Sequence, residues 1–290
     1  MYRTRRADRK AYAILEGMKG GLKAHGFTIV ETLAVLAISA GLFVAVAATL
    51  SGRQGRTEFS QSMQDVRSQI QQVINDVGTG SFPDTNNFRC AVGGTGPNIT
   101  NGTSNQGGNT GCVFLGKAIQ FDINGTSDPE ELRVYTIAGL QRDSSGAEIT
   151  TYANAKPTVI APTSGSPGRP DSSSRGVLRY GLTLKEAYYG ATKTNIGSIA
   201  FVSTLSGGPL VSSSQHINVI PIKNSTTNAT AAVGAQAIET NLATSDQNPS
   251  TGIKLCFVSG GSKQSGLITI GGNDRQLSVD LKISENTTCA

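Results

Sequence analysis

The rhythm of apolar and polar positions changes along this chain. From Phe27 to Leu50 it reads FTIVETLAVLAISAGLFVAVAATL, nearly unbroken apolar, with Glu31 its single charged residue. Coiled as a helix, this run rises about 36 Å, enough to cross a hydrocarbon core of roughly 30 Å, and it predicts a transmembrane segment. A secretory signal would carry a shorter apolar region before a small-residue cleavage site, which Ala45-Val46-Ala47-Ala48 only imitates.

Beyond the span the pattern becomes amphipathic. Phe59, Met63, Val66, Ile70, Val73 and Val77 recur at alternating steps of four and three, one apolar stripe along a helix. Gly52 and Gly55 weaken that helix just past the membrane and predict a bend or local unwinding, and Gly78 and Gly80 predict its end. Past residue 80 the period shortens to two. Strands are expected at 112–121, 132–138, 176–184, 198–204, 216–222, 253–258, 266–271 and 276–283, the last two as an antiparallel hairpin around Gly271-Gly272-Asn273-Asp274. Segments 91–111, 162–175 and 224–230, rich in Gly, Ser, Thr, Asn and Pro, read as surface loops, and 229–244 as a short helix.

These readings define an α+β fold: a long N-terminal helix, its first half transmembrane and its second amphipathic, packed on a mostly antiparallel β-sheet head. The divisions are 1–26, 27–50, 51–80 and 81–290. The absence of Trp and the abundance of small polar residues suit such a loop-rich head.

Charge then fixes topology rather than a partner. The formal net charge is +5, and Arg3, Arg5, Arg6, Arg9, Lys10, Lys19 and Lys23 against Asp8 and Glu16 account for all of it. A cationic segment ahead of an apolar span stays cytoplasmic, which places the head outside. Residues 27–290 are formally neutral and supply no net-charge drive for nucleic-acid binding; Arg175, Arg179 and Lys185, read as lying along one strand, are the nearest approach to a basic patch.

Glu31 is the informative residue, because a carboxylate within the bilayer costs on the order of 2.5 to 3.5 kcal/mol and is seldom placed there without a partner. The run Gly26-Phe27-Thr28-Ile29-Val30-Glu31, behind a basic leader and before an apolar helix, resembles the prepilin signature of type IV pilins and type II secretion pseudopilins. The resemblance covers residues 19 to about 77. It implies that a membrane aspartyl peptidase removes leader 1–26 by cutting between Gly26 and Phe27, that Phe27 becomes the methylated N-terminus, and that Glu31 is the fifth mature residue. Its partners would be other pilin subunits, the prepilin peptidase, the inner membrane and an assembly platform. Its locations would be the bacterial cytoplasmic membrane, then a periplasmic or extracellular filament. Translation from Met18 rather than Met1 would give a nine-residue leader. Leu115–Phe121 and the closing hairpin bear a fainter similarity to H-type minor pseudopilins.

The chemistry of cleavage explains the spacing. Gly26 leaves the scissile bond open to a protease, and the new amine at Phe27 stands one helical turn from Glu31, where a neighbouring subunit's amine can pair with the carboxylate.

Other chemistry is sparse. Cys90, Cys112, Cys256 and Cys289 are even in number and on the expected outer side, which favours disulfides; local pairing gives Cys90–Cys112 and Cys256–Cys289 among three connectivities. Zinc would want ligand pairs two to four residues apart, and none exists. His25 and His216 are the only histidines, too few for a hydrolytic triad, and no nucleotide-binding or HExxH motif is present. Asp122, Asn124, Thr126, Asp128, Glu130 and Glu131 alternate like calcium ligands but lack the sixth-position Gly, so a turn is expected. The Asn-x-Ser/Thr triplets at Asn98, Asn101, Asn124, Asn224, Asn228 and Asn286 follow from composition. No catalytic residue, cofactor site or metal site is expected. The expected function is a structural filament subunit, a minor pilin or pseudopilin; the alternative is a single-pass anchored protein whose head binds or adheres.

Overall fold

A computed structural model describes residues 27–80, 88–93, 96–101, 112–121, 131–160, 174–190, 192–203, 217–223, 231–244, 252–260, 263–271, 277–286 and 288–289. The protein is α+β, with one apolar N-terminal helical segment and two large antiparallel sheets. Helix α1 covers Ile29–Gly78 and runs through Gly52 and Gly55, so the local unwinding admitted there does not occur. Two helix-weakening residues at roughly 1 kcal/mol each do not end a helix whose next turns, from Phe59 to Val77, are packed in the core. The chain divides between Ser51 and Gly52 into two compact units.

In the first unit, Ile29–Ala47 is long and apolar enough to cross a membrane, with a mean hydropathy of 2.3 and nothing buried within the unit. Phe43 is 76% and Leu36 65% exposed, an apolar surface that only lipid or other protein can cover favourably.

The second unit is built around the other part of α1, Gly52 to Gly78, here termed the stalk. Strands β1 (Phe88–Gly93) and β2 (Gly96–Asn101) form a hairpin. The first large sheet has the order β10 (Ile217–Ile222), β9 (Ser198–Ser203), β3 (Cys112–Phe121), β4 (Glu131–Leu140) and β5 (Thr158–Ile160), with β6 (Ser174–Val177) also on β4. The second has the order β13 (Ser278–Ser284), β12 (Ser265–Gly271), β11 (Ile253–Ser259), β7 (Leu182–Tyr189) and β8 (Thr194–Asn195).

Strand alternation divides the first sheet between two cores. Ile119, Val134, Ile199 and Phe201 turn to the stalk, while Ala118, Tyr135, Ile137, Ala200 and Ile220 turn the other way. The latter meet Ala155 of α2 (Tyr152–Ala155) and Ala235, Ile238 and Leu242 of α3 (Ala231–Thr244). The second sheet contributes Leu255, Phe257, Ile268, Ile270 and Val279 to the stalk core. Phe59, Met63, Val66, Ile70, Val73, Ile74 and Val77 are buried there, each worth about 1.5 to 3 kcal/mol of transfer free energy.

Specific contacts set the stalk's position along the sheets. Met63 occupies the space left by the missing side chain of Gly266, where a Cβ would lie 2.4 Å from its Cε. Ser62 Oγ donates to the Arg179 carbonyl at 2.9 Å, and Arg67 Nε to the Val279 carbonyl at 2.9 Å. The ammonium of buried Lys117, on β3, pairs with Asp76 in the last turn of α1. An acidic residue there opposes the helix dipole, and a buried lysine needs a counter-charge; each removes the other's difficulty.

The structure corrects several expectations. Segment 91–111, read as loop, contains part of β1 and all of β2; FRCAVG and GPNITN lack alternation, and the signal was the glycine-rich connection where the register pairs Gly93 with Gly96. The strand expected over 176–184 is two strands, because Tyr180 and Gly181 take φ of 58° and 63° and reverse the chain. Leu182 N–H then bonds to the Arg179 carbonyl at 3.2 Å, β6 stays with β4, and β7 joins β11 in the other sheet. Strands β5 and β8, three and two residues long, were too short to read.

Gly116 tests the packing of the first sheet. The β3–β4 register shifts between Phe114 and Gly116, and a Cβ at Gly116 would lie 2.0 Å from the backbone oxygen of Phe201. Gly116→Ala is expected to lower stability by about 2 to 4 kcal/mol. Gly260→Ala, with nothing within 4 Å, should cost no more than about 0.5 kcal/mol. Thermal unfolding of both variants by circular dichroism checks the contrast.

Candidate functional site

The first turn of α1 is organised by Thr28. Its hydroxyl oxygen accepts from Glu31 N–H at 3.2 Å, and its carbonyl accepts from Thr32 N–H at 3.1 Å, the first helical bond. Thr32 Oγ1 donates back to the Ile29 carbonyl at 2.8 Å. Thr28 is therefore the N-cap and Glu31 the third residue of the helix, the Thr-x-x-Glu spacing of a capping box. The spacing of Thr28 and Glu31 is the signal for this cap in the sequence. Besides carrying charge in an apolar run, Glu31 sits where the partial positive charge of unpaired N–H groups favours a carboxylate by about 0.3 to 1 kcal/mol at an exposed site. Among the described residues no ion pair reaches that carboxylate. Phe27 is 76% exposed, and Gly26 lies outside the described residues.

The cysteines belong to the second unit. Cys256 of β11 and Cys289 form a disulfide with Cα atoms 5.8 Å apart. Beside it, Ser265 Oγ donates to the Thr288 carbonyl at 3.2 Å, so the chain segment after β13 is fastened across β12 to β11. Cys112, the first residue of β3, is disulfide-bonded too. Cys90 lies in β1, and its side chain is outside the described residues.

The remaining candidates do not converge. His25, His216 and the segment 122–130 lie outside the described residues, and Glu131 is the first residue of β4. Arg175, Arg179 and Lys185 do not share one strand: Arg175 is on β6 opposite Arg133, Arg179 stands at the turn, and Lys185 is on β7 in the second sheet. Among the described residues no group of three or more His, Cys, Asp or Glu is placed to hold a metal ion.

Two polar arrangements went unread in the sequence, and both are structural. Asp143 Oδ1 accepts from Ser145 Oγ at 2.6 Å, Ser145 N–H at 2.8 Å and Ala147 N–H at 2.9 Å, which closes a turn; the Ser145 hydroxyl, then the Ala147 amide, hold its carboxyl below the usual range. The Tyr152 hydroxyl donates to the Ser203 carbonyl at 2.8 Å and accepts from Asn218 Nδ2 at 3.2 Å. Burial raises its pKa, and the bond from Asn218 opposes the shift.

The disulfide leads to a quantitative expectation. Its 33-residue separation corresponds to about 3 to 4 kcal/mol on the loop-entropy model, and Cys256→Ser with Cys289→Ser should lower unfolding stability by that amount. Non-reducing peptide mapping should recover the Cys256–Cys289 peptide and join Cys112 to Cys90.

Comparison with protein-family models, with curated proteins and with solved structures gives no match.

Proposed function

We propose that this chain is a structural subunit, a minor pilin or pseudopilin, of a type IV pilus-like or type II secretion filament, cut after Gly26 and assembled through α1. The observation that carries the proposal is the placement of Glu31. It stands in the capped first turn of a helix whose next residues, through Ala47, are apolar and unburied, with no ion-pair partner among the described residues.

Cleavage by a membrane peptidase would make Phe27 the first residue of the mature chain and create an amine just ahead of the Thr28 cap. A Glu31 carboxylate in the membrane favours a cationic partner, and the amine of an incoming subunit supplies one at the depth that brings the two helices into register. The exposed faces of Ile29–Ala47 would then exchange lipid for neighbouring helices, while the head stays outside. The basic leader sets this orientation, with the N-terminus cytoplasmic and the filament periplasmic or extracellular. No catalysis is ascribed to the head.

A second reading, a single-pass anchored binding or adhesion protein, is favoured by the division of the chain between Ser51 and Gly52, which sets the apolar segment apart from a compact unit of stalk and sheets. It needs the span and not the cut.

Processing and assembly separate the two. Intact mass of the protein from isolated membranes should correspond to a chain starting at Phe27, and Gly26 replaced by a bulky residue should leave uncut precursor. Glu31→Gln should be inserted and cut normally, yet reach sheared filaments at least about tenfold less than wild type, the equivalent of losing one charge-assisted contact. An N-terminus at Met1, or filament incorporation unchanged by Glu31→Gln, would refute the filament reading.

A further inference from the structure

The outer strands of the two large sheets are not equally protected. At one end of the first sheet, Glu239 of α3 accepts from Val159 N–H of β5 at 2.8 Å, and at the other β10 carries Pro221. Strands β6 and β8 are four and two residues long. Strand β13 is different: seven residues, an outer strand of its sheet, fastened behind by the Cys256–Cys289 disulfide.

Its hydrogen-bonding groups are predictable from one contact. The Val279 carbonyl turns outward to Arg67, so by alternation Leu281 and Ile283 also turn their N–H and C=O groups to the open edge, while Asp280 and Lys282 bond inward to β12. Along this edge Leu281 and Ile283 are only partly buried, and with Gln64, Ser68 and Gln71 of the stalk they line a crevice of about 500 Å³.

The strand's own sequence fits that edge. Ser278-Val279-Asp280-Leu281-Lys282-Ile283-Ser284 is complementary to its own reverse. If a second β13 is laid antiparallel about Leu281, Ser278 meets Ser284, Val279 meets Ile283, Asp280 meets Lys282 and Leu281 meets Leu281. This is the register in which the outward groups of residues 279, 281 and 283 face their counterparts. Asp280 and Lys282 then occupy non-hydrogen-bonded positions, where facing side chains approach closest, and each interface holds that ion pair twice. Both are exposed on the outer face, where Asp280 now accepts a 3.2 Å bond from Ser278 Oγ. Val279, which already accepts from Arg67, has a second lone pair for the new ladder. Shifting the register by two residues would put Asp280 opposite Asp280 or Lys282 opposite Lys282.

We infer that β13 is a self-association edge, through which the heads of two copies of this chain join their second sheets into one continuous antiparallel sheet. The Val279, Leu281 and Ile283 side chains of each copy cover the crevice of the other. A two-fold axis normal to a sheet reverses whatever lies along its face, so the two stalk segments run in opposite directions. This inference concerns the head and does not rest on the filament reading.

The test is sedimentation equilibrium of the full chain in density-matched detergent at low ionic strength, for wild type, Asp280→Lys, Lys282→Asp and the double reversal. Wild type should self-associate; each single reversal, which sets like charges opposite each other twice, should weaken association about tenfold or more. The double reversal should restore it. In wild type, exchange of the Leu281 and Ile283 amides should slow with rising protein concentration, while that of Asp280 and Lys282 stays constant. A monomeric wild type, equal association of all four forms, or a double reversal as weak as the singles would overturn the inference. Concentration-independent exchange at Leu281 and Ile283 would do the same.

Discussion

The head depends on the burial of one helical stripe. Among the described residues, the side chains from Phe59 to Val77 are the part of α1 in the stalk core, and both large sheets turn a face to them. Removing the stripe would leave Phe201 and Ile119 on one sheet, and Phe257 and Ile268 on the other, without a partner surface. The stalk is thus a core element and not a handle. Its polar contacts follow from the same placement: once Met63 sits at Gly266, Ser62 reaches the turn at Arg179 and Arg67 reaches the edge at Val279. The Lys117–Asp76 pair adds selectivity, because sliding the helix by a turn would strand a buried ammonium.

The exposed N-terminal part of the helix follows a different logic. An isolated helix derives little stability in water from propensity alone, and Ile29–Ala47 has no packed face among the described residues. In hydrocarbon the balance reverses, since satisfying every backbone group internally then outweighs any alternative. The first turn is the exception, because its leading N–H groups cannot bond within the helix. Thr28 satisfies the Glu31 amide, and the Glu31 charge suits the helix end. A carboxylate at that position is locally favourable to helix start and globally unfavourable in lipid, a combination that makes a cationic partner valuable.

Much of this architecture could be read from periodicity. The four-and-three stripe anticipated the buried stalk residues, and alternation anticipated β3, β9, β10, β11 and β12 to within a residue or two. Reading failed where side chains carried no alternation, as in FRCAVG and GPNITN, or where alternation ran unbroken through a reversal. The latter happened at Tyr180-Gly181: Leu178, Leu182 and Leu184 keep a period of two across a turn that moves the chain between sheets. At Gly52 and Gly55 local propensity admits unwinding, yet the helix continues through both. At the N-terminus the charge of Glu31 stands out in an apolar run, whereas Thr28 shows its capping role only through its bond to the Glu31 amide.

The edge at β13 could not be recognised from the sequence, although its seven residues were part of a predicted hairpin. Alternating Val, Leu and Ile states only that one face is apolar, and Asp280 and Lys282 read as ordinary solvent-facing charges. Their meaning comes from topology, which makes β13 outermost, and from Arg67, whose bond to Val279 reveals which backbone groups point outward. An inner strand with the same residues would spend those groups on its neighbours. An outer strand with the same composition in another order would face a copy of itself with like charges opposed, a common protection against edge pairing. Here the order Asp-Leu-Lys places opposite charges across the axis, so the protective device acts in reverse and selects a single register.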